Sequence, residues 1–261
     1  MIIIKSPREI ALMKEAGRIL AVTFKAMKEA VKPGVSTKEL NDEIARIFAE
    51  NGGESAEKGY YGYPADACIS VNEVILHGIP SAKKILRDGD IVSIDLVVKK
   101  DGYMADACRT YPVGIVGERQ LAIIKASEKC FWEGVSLVKE GVHLGDIEAK
   151  IGETAHSLGY NVPRDYTGHG IGSEMHEDPY IPNYGKPGTG PILREGMTLC
   201  FEPMLLEGKA DVRTLNDGWS VLSKDGKLTS HYENTVLVTK DGYEILTYDG
   251  DPASLSGLSN D

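Results

Sequence analysis

The sequence predicts an α/β (α+β) chain in which two helix-helix-sheet halves surround a central antiparallel sheet. Three observations point there. Two helices with strong N-terminal signals open the chain, short apolar strand segments follow them, and the same order returns in register in the second half. With 261 residues and 42% apolar content the chain can build a substantial core, and its composition is not that of a disordered chain.

The first helix should start at Ser6-Pro7-Arg8-Glu9, where serine caps, proline takes the first helical position and glutamate reaches back from the third. An apolar stripe through Leu12, Ala16, Ile19, Leu20, Phe24, Met27 and Val31 should face the core, and Pro33-Gly34 ends the run. Ser36-Thr37-Lys38-Glu39 repeats the capping logic for a second helix carrying Leu40, Ile44, Ile47 and Phe48, stopped by Asn51-Gly52-Gly53. Strands are expected around 66–72, 91–98 and 103–112.

The second half repeats this pattern. Val138 stands 107 positions after Val31, and at that shift "VKPGVSTKELNDEIARIFAENGG" lies over "VKEGVHLGDIEAKIGETAHSLGY". The same shift lays "LRDGDIVSID", ending at Asp95, over "LREGMTLCFE", ending at Glu202. Each half therefore places an acid at an equivalent point. No linker rich in Pro, Gly or Ser parts the halves, so one domain over 1–250 is expected, with pseudo-repeats of about 6–112 and 119–248 and a flexible tail over 251–261.

Composition narrows the function. A net charge of -10, with no dense Lys/Arg block, argues against broad binding of nucleic-acid backbones. No run of about 18 apolar residues exists to cross a bilayer, so no membrane role is expected. Cys68, Cys108, Cys130 and Cys200 lack C-x-x-C spacing and read as reduced thiols. Neither "GKPGTGP" nor "GHGIG" has the context of a phosphate or dinucleotide loop.

The stretch "IVSIDLVVKKDGYMADACRT" reads as two apolar strands joined at Asp101-Gly102, with an acid inside each. A turn centred there sets Asp95 opposite Cys108 and Val97 opposite Asp106, leaving the acids diagonal on one face. A one-residue slip would make them direct partners on that face. Two carboxylates within apolar strands repel each other and resist desolvation, so they need cations, and no Lys or Arg stands within two residues of either acid. The hairpin alone leaves open that one acid faces solvent.

Glu202 in "TLCFEP" and Glu233 at the head of a strand in "HYENTVLVT" add two more acids in apolar settings. His169 sits between Gly168 and Gly170, whose missing side chains allow close backbone approach. Four carboxylates and an imidazole suit one or two divalent ions such as Mn(II), Fe(II) or Co(II) rather than a thiolate zinc site. Four carboxylates carry about -4, which favours two ions. Water held between two such ions ionises near neutral pH, which makes a hydrolase.

"GYYGYPADACISVNEVILHGIP", "DLVVKKDGYMADAC", "TGHGIGSEMHEDP", "CFEP" and "HYENT" together closely resemble the type I methionine aminopeptidases in their short bacterial form. The resemblance spans roughly residues 1–250 and implies the pita-bread fold. It implies that Asp106 and Glu233 bridge two ions, that Asp95 completes the shell of one, and that His169 and Glu202 complete the other. It makes Glu202 the proton shuttle, sets His77 against the scissile amide, and has His176 steady the carbonyl oxygen. It implies a methionine pocket of Tyr60, Tyr63, Cys68, Met175 and Trp219, beside His77 and His176.

Met175, where many members carry an aromatic residue, and Glu57, expected at the pocket rim where some carry cysteine, depart from the pattern. His143, His156 and His231 match no catalytic position of the family and read as surface or capping residues. The implied partner is the N-terminal methionine of nascent polypeptides in the cytoplasm. A monomer is expected, and the sequence leaves ribosome proximity and the choice of ion open. Two alternatives share the fold: an X-Pro hydrolase, and a non-catalytic module binding protein or RNA.

Overall fold

The computed structural model describes residues 1–248; the tail expected over 251–261 lies outside them. The elements in chain order are α1 (Pro7–Ala30), α2 (Thr37–Glu50), β1 (Glu54–Ser55), β2 (Cys68–Val71), β3 (Val74–Leu76), β4 (Ile91–Lys100), β5 (Tyr103–Pro112), α3 (Glu118–Val135) and α4 (Leu144–Ser157). They continue with β6 (Thr167–Gly170), β7 (Glu177–Pro182), β8 (Thr198–Phe201), β9 (Met204–Leu206), β10 (Val212–Thr214), β11 (Val221–Ser223), β12 (Thr229–His231), β13 (Glu233–Val238) and β14 (Tyr243–Ile245).

Both expected capping boxes are present. Ser6 and Ser36 each accept from the backbone of the glutamate three residues on, and that glutamate accepts from the cap N–H in return. The stripe on α1 differs at one position: Met13, not Leu12, is fully buried, while Leu12 stays half-exposed. Gly17 of α1 is required by packing, since a Cβ there would stand 1.8 Å from the Leu246 carbonyl oxygen.

One nine-stranded sheet runs through the molecule in the order β1-β4-β5-β13-β8-β6-β7, with β2 also on β4 and β14 also on β13. Its centre is the antiparallel contact of β5 with β13, flanked by β4 on one side and β8 on the other. The halves of the sequence thus meet at β5 and β13. In β4 the residues Val92, Ile94, Leu96 and Val98 join the core beneath α1 and α2. In the second half Leu199, Phe201, Val236 and Val238 join the core with α3 and α4. Strand alternation sends the intervening residues to the opposite face of the sheet.

Residues 101 and 102 turn the hairpin with φ of 49° at Asp101 and 86° at Gly102, the left-handed pair of a tight type I′ turn. The register is therefore the one the turn predicts: Asp95 opposite Cys108 and Val97 opposite Asp106. The slipped alternative is not formed. On the helix side of the central contact, the buried Arg109 guanidinium lies 4.9 Å from the Phe24 ring and 4.6 Å from the Tyr232 ring, and donates to the Glu233 carbonyl at 2.6 Å.

Candidate metal centre and active site

On the face of the sheet away from the helices, residues of β4, β5, β6 and β13 and the segment just past β8 line a cavity of about 530 Å³. Alternation puts Asp95 and Asp106 there from the hairpin, and Glu233 from the first position of β13. Glu202 follows β8 two residues after Cys200, on the same side. His169 comes from β6, where its flanking glycines are needed: a Cβ on Gly168 would lie 2.3 Å from the Cys200 carbonyl oxygen, and one on Gly170 2.2 Å from that of Asp178.

All five expected ligands line this cavity, and distances bring four of them, Asp106, His169, Glu202 and Glu233, close together. His169 Nε2 lies 3.5 Å from Asp106 Oδ2 and 3.8 Å from Glu202 Oε1. Its Nδ1 donates to the Gly170 carbonyl at 2.9 Å, which leaves the Nε2 lone pair aimed into the cavity. Ligand atoms of Asp106, His169 and Glu233 fall within 4.8 Å of one another. Glu233 also belongs to a second such set with Glu202, so its carboxylate stands between two groups of donors.

The electrostatics show what the site fits. Burial pushes Asp106 up to about 8 and lifts Asp95, Glu202 and Glu233 well above the ordinary carboxylate range, with the neighbouring acids adding to the shift of those three. Burial also pushes His169 down to about 4. Asp95 Oδ1, Asp106 Oδ1 and Glu233 Oε1 are buried without a hydrogen-bond partner among the described residues. No Lys or Arg lines the cavity among the described residues. Buried, unpartnered oxygens on mutually repelling acids fit divalent cations, and hard or borderline ions in particular. The adjacent Cys108 and Cys200 thiols are pushed up by burial, so they stay protonated and are not thiolate ligands.

Tyr60, Tyr63, Cys68, His77, Met175, His176 and Trp219 line the same cavity. Tyr63 donates its hydroxyl to the Ala67 and Gly78 carbonyls at 3.1 Å each, so its polar end is spent and its ring is presented. That ring meets Trp219 edge-on, with centroids 5.1 Å apart. His176 meets the His169 ring edge-on, with centroids 4.4 Å apart, and pairs through Nδ1 with the Tyr60 hydroxyl at 2.8 Å. His77 adopts a left-handed φ of 55°, and burial pushes it down to about 4.

Two expectations are corrected. Glu57 is not at a rim: it is 6% exposed and lines the cavity, with Oε1 accepting the Val97 N–H at 3.0 Å and burial raising its carboxyl. His231 is neither a surface nor a capping residue. It is 2% exposed, lines the cavity, and points Nε2 at Glu202 and Glu233. The signal that could have found it is the spacing in "HYE": in extended chain, residues two apart share a side, so His231 follows Glu233. His143 does stand at the N-cap of α4, and His156 is exposed.

Comparison with known proteins gives the same reading. The sequence profile of metallopeptidase family M24 matches residues 11–240. The chain belongs to metallopeptidase family M24. This M24 peptidase is similar to methionine aminopeptidase 1 of Bacillus subtilis, with 43% identity over 247 residues, 95% of this chain and 99% of the relative. It is similar to a methionine aminopeptidase of Clostridium acetobutylicum at 46% identity over 248 residues, again 95% and 99% of the two chains. The crystal structure of a methionine aminopeptidase from Thermotoga maritima superposes on it with a TM-score of 0.93 at 43% identity, covering 95% of this chain and 99% of that one. The M24 peptidase shares that pita-bread fold, as its sequence predicts.

Proposed function

We propose that this chain is a metal-dependent methionine aminopeptidase that removes the N-terminal methionine of polypeptides. The observation that carries this reading is the meeting of buried, unpartnered acids from both halves beside an aromatic, thiol- and thioether-lined pocket. The family membership and the named relatives support it. Since each half supplies site residues, residues 1–250 act as one catalytic unit.

Asp95, Asp106, His169, Glu202 and Glu233 would hold two divalent ions, of Mn(II), Fe(II) or Co(II) character, because one ion leaves much of the acids' charge unbalanced. Bound there, the ions supply Lewis acidity and make a water molecule ionisable near neutral pH. Glu202 takes the proton from the attacking water and passes it to the leaving amine. The Tyr60 hydroxyl pairs with Nδ1 of His176 at 2.8 Å; in this reading the hydroxyl is the donor, which puts the ring proton on Nε2, the nitrogen left to donate to the carbonyl oxygen of the scissile bond. His77, which lines the same cavity, orients the amide. Tyr63, Trp219, Cys68 and Met175 enclose the unbranched thioether, whose soft, apolar body gains from contact with rings and sulfur.

Nascent chains, met in the cytoplasm and close to the ribosome, supply the substrate in this reading, and the enzyme acts as a monomer. The deciding test loads metal-depleted protein with Mn(II) or Co(II) and supplies Met-Ala-Ser and, separately, Gly-Pro. Release of methionine that stops on chelation is expected. Cleavage of Gly-Pro alone would replace this reading with an X-Pro hydrolase, and silence with every ion would leave a binding module.

A further inference from the structure

His231 closes β12, and its backbone is held from both sides: its N–H donates to Thr110 Oγ1 at 3.1 Å, and its carbonyl accepts from that same hydroxyl at 2.7 Å. The ring has no freedom to reach solvent, being 2% exposed. Among the described residues neither Nδ1 nor Nε2 has a hydrogen-bond partner. Leaving both nitrogens of a buried imidazole unpaired is costly, and such a group is kept where something else completes it.

The surroundings say what that is. Nε2 lies 3.6 Å from Glu202 Oε2 and 3.7 Å from Glu233 Oε2. These separations are too long for hydrogen bonds. Donors about 2.1 Å from a common ion stand roughly 3.0–3.5 Å apart, so a small contraction of this triangle accommodates one cation. His169 shows the same relation on the other side, at 3.5 Å from Asp106 and 3.8 Å from the second oxygen of Glu202. The Glu202 carboxylate therefore lies between two imidazoles, each facing one of its oxygens. A donor atom of Asp95 also lies within 4.8 Å of His231.

We propose that His231 is itself a metal ligand through Nε2, so that each of two cation positions carries an imidazole: His169 on the Asp106 side, His231 on the Asp95 side. This rests on the metal-dependent reading above and extends the ligand set beyond the five residues expected from sequence. A second nitrogen donor moves the site away from Mg(II) and Ca(II) and toward borderline ions such as Fe(II), Co(II) and Zn(II).

The test uses the full chain, metal-depleted and then titrated anaerobically with Co(II). Proton NMR of the Co(II) protein reports each coordinated imidazole as a strongly shifted N–H resonance that disappears in D2O. Two such resonances are expected, one lost in His169→Ala and the other in His231→Gln. Calorimetry should show His231→Gln weakening one Co(II) equivalent at least tenfold while the other is retained. A single shifted N–H in the fully loaded wild-type protein would overturn the proposal, and that count needs no variant to fold. Unchanged affinity for both equivalents in a folded His231→Gln protein would overturn it too, and would leave His231 as a hydrogen-bond partner that positions Glu202. Absence of any Co(II) uptake would defeat the metal-dependent reading and this proposal together.

Discussion

Glu202 stands where several demands on one side chain meet, with its two oxygens facing His169 and His231 and its carboxyl lifted by burial and by Asp95 and Asp106. Glu202→Gln keeps the shape and removes both the charge and the proton carrier. We expect kcat to fall by about 10²–10⁴ with a much smaller change in KM, read from steady-state release of methionine. Residues of this kind were legible in the sequence because an acid flanked by apolar strand residues conflicts with burial. His231 and Glu57 were less so. A histidine or glutamate at the end of a short segment declares no burial until distant strands close over it, and the partners that bury these two lie far away in sequence.

At the scale of the element, the hairpin and the paired helices were readable for local reasons. A left-handed Asp-Gly pair admits one register, and α4 (Leu144–Ser157) falls 107 residues after α2 (Thr37–Glu50) at both ends, as the repeat predicts. The three-residue strands β3, β9, β10, β11, β12 and β14 were not readable, because each is too short to carry a pattern of its own and is defined by its partner: β3 by β11 and β9 by β12 from afar, β10 by β11 and β14 by β13 across short hairpins. Helix α4 also carries a pH-dependent strain. Glu148 packs against Gly185, and burial pushes its carboxyl up to about 7 from an ordinary 4.5. The folded chain thus binds this proton more tightly than the unfolded chain, so the associated stability is full below 4.5 and is lost as pH rises through 7. Because the group is half-exposed, solvent screens much of this effect. Glu148→Gln should raise Tm by about 2 °C at pH 8 and leave it unchanged at pH 4, as thermal melts at the two values would show.

Across the whole molecule, the two halves are joined behind the site by Arg109, which reaches from β5 to the Glu233 carbonyl and the Asn234 side chain, and by α1 lying against the chain after β14. Gly17 is the closest point of that second contact. Gly17→Ala drives a methyl into a backbone carbonyl that no rotamer change can relieve, and we expect a loss of about 2–3 kcal/mol in denaturant unfolding of the metal-depleted protein. The cavity between the halves has room for a few residues only, and exposed Tyr61 and Tyr180 are among those lining it. A methionine at the start of a tightly folded protein could not be threaded that far. A cavity of this size therefore favours a leading end that still hangs loose over one already tucked away.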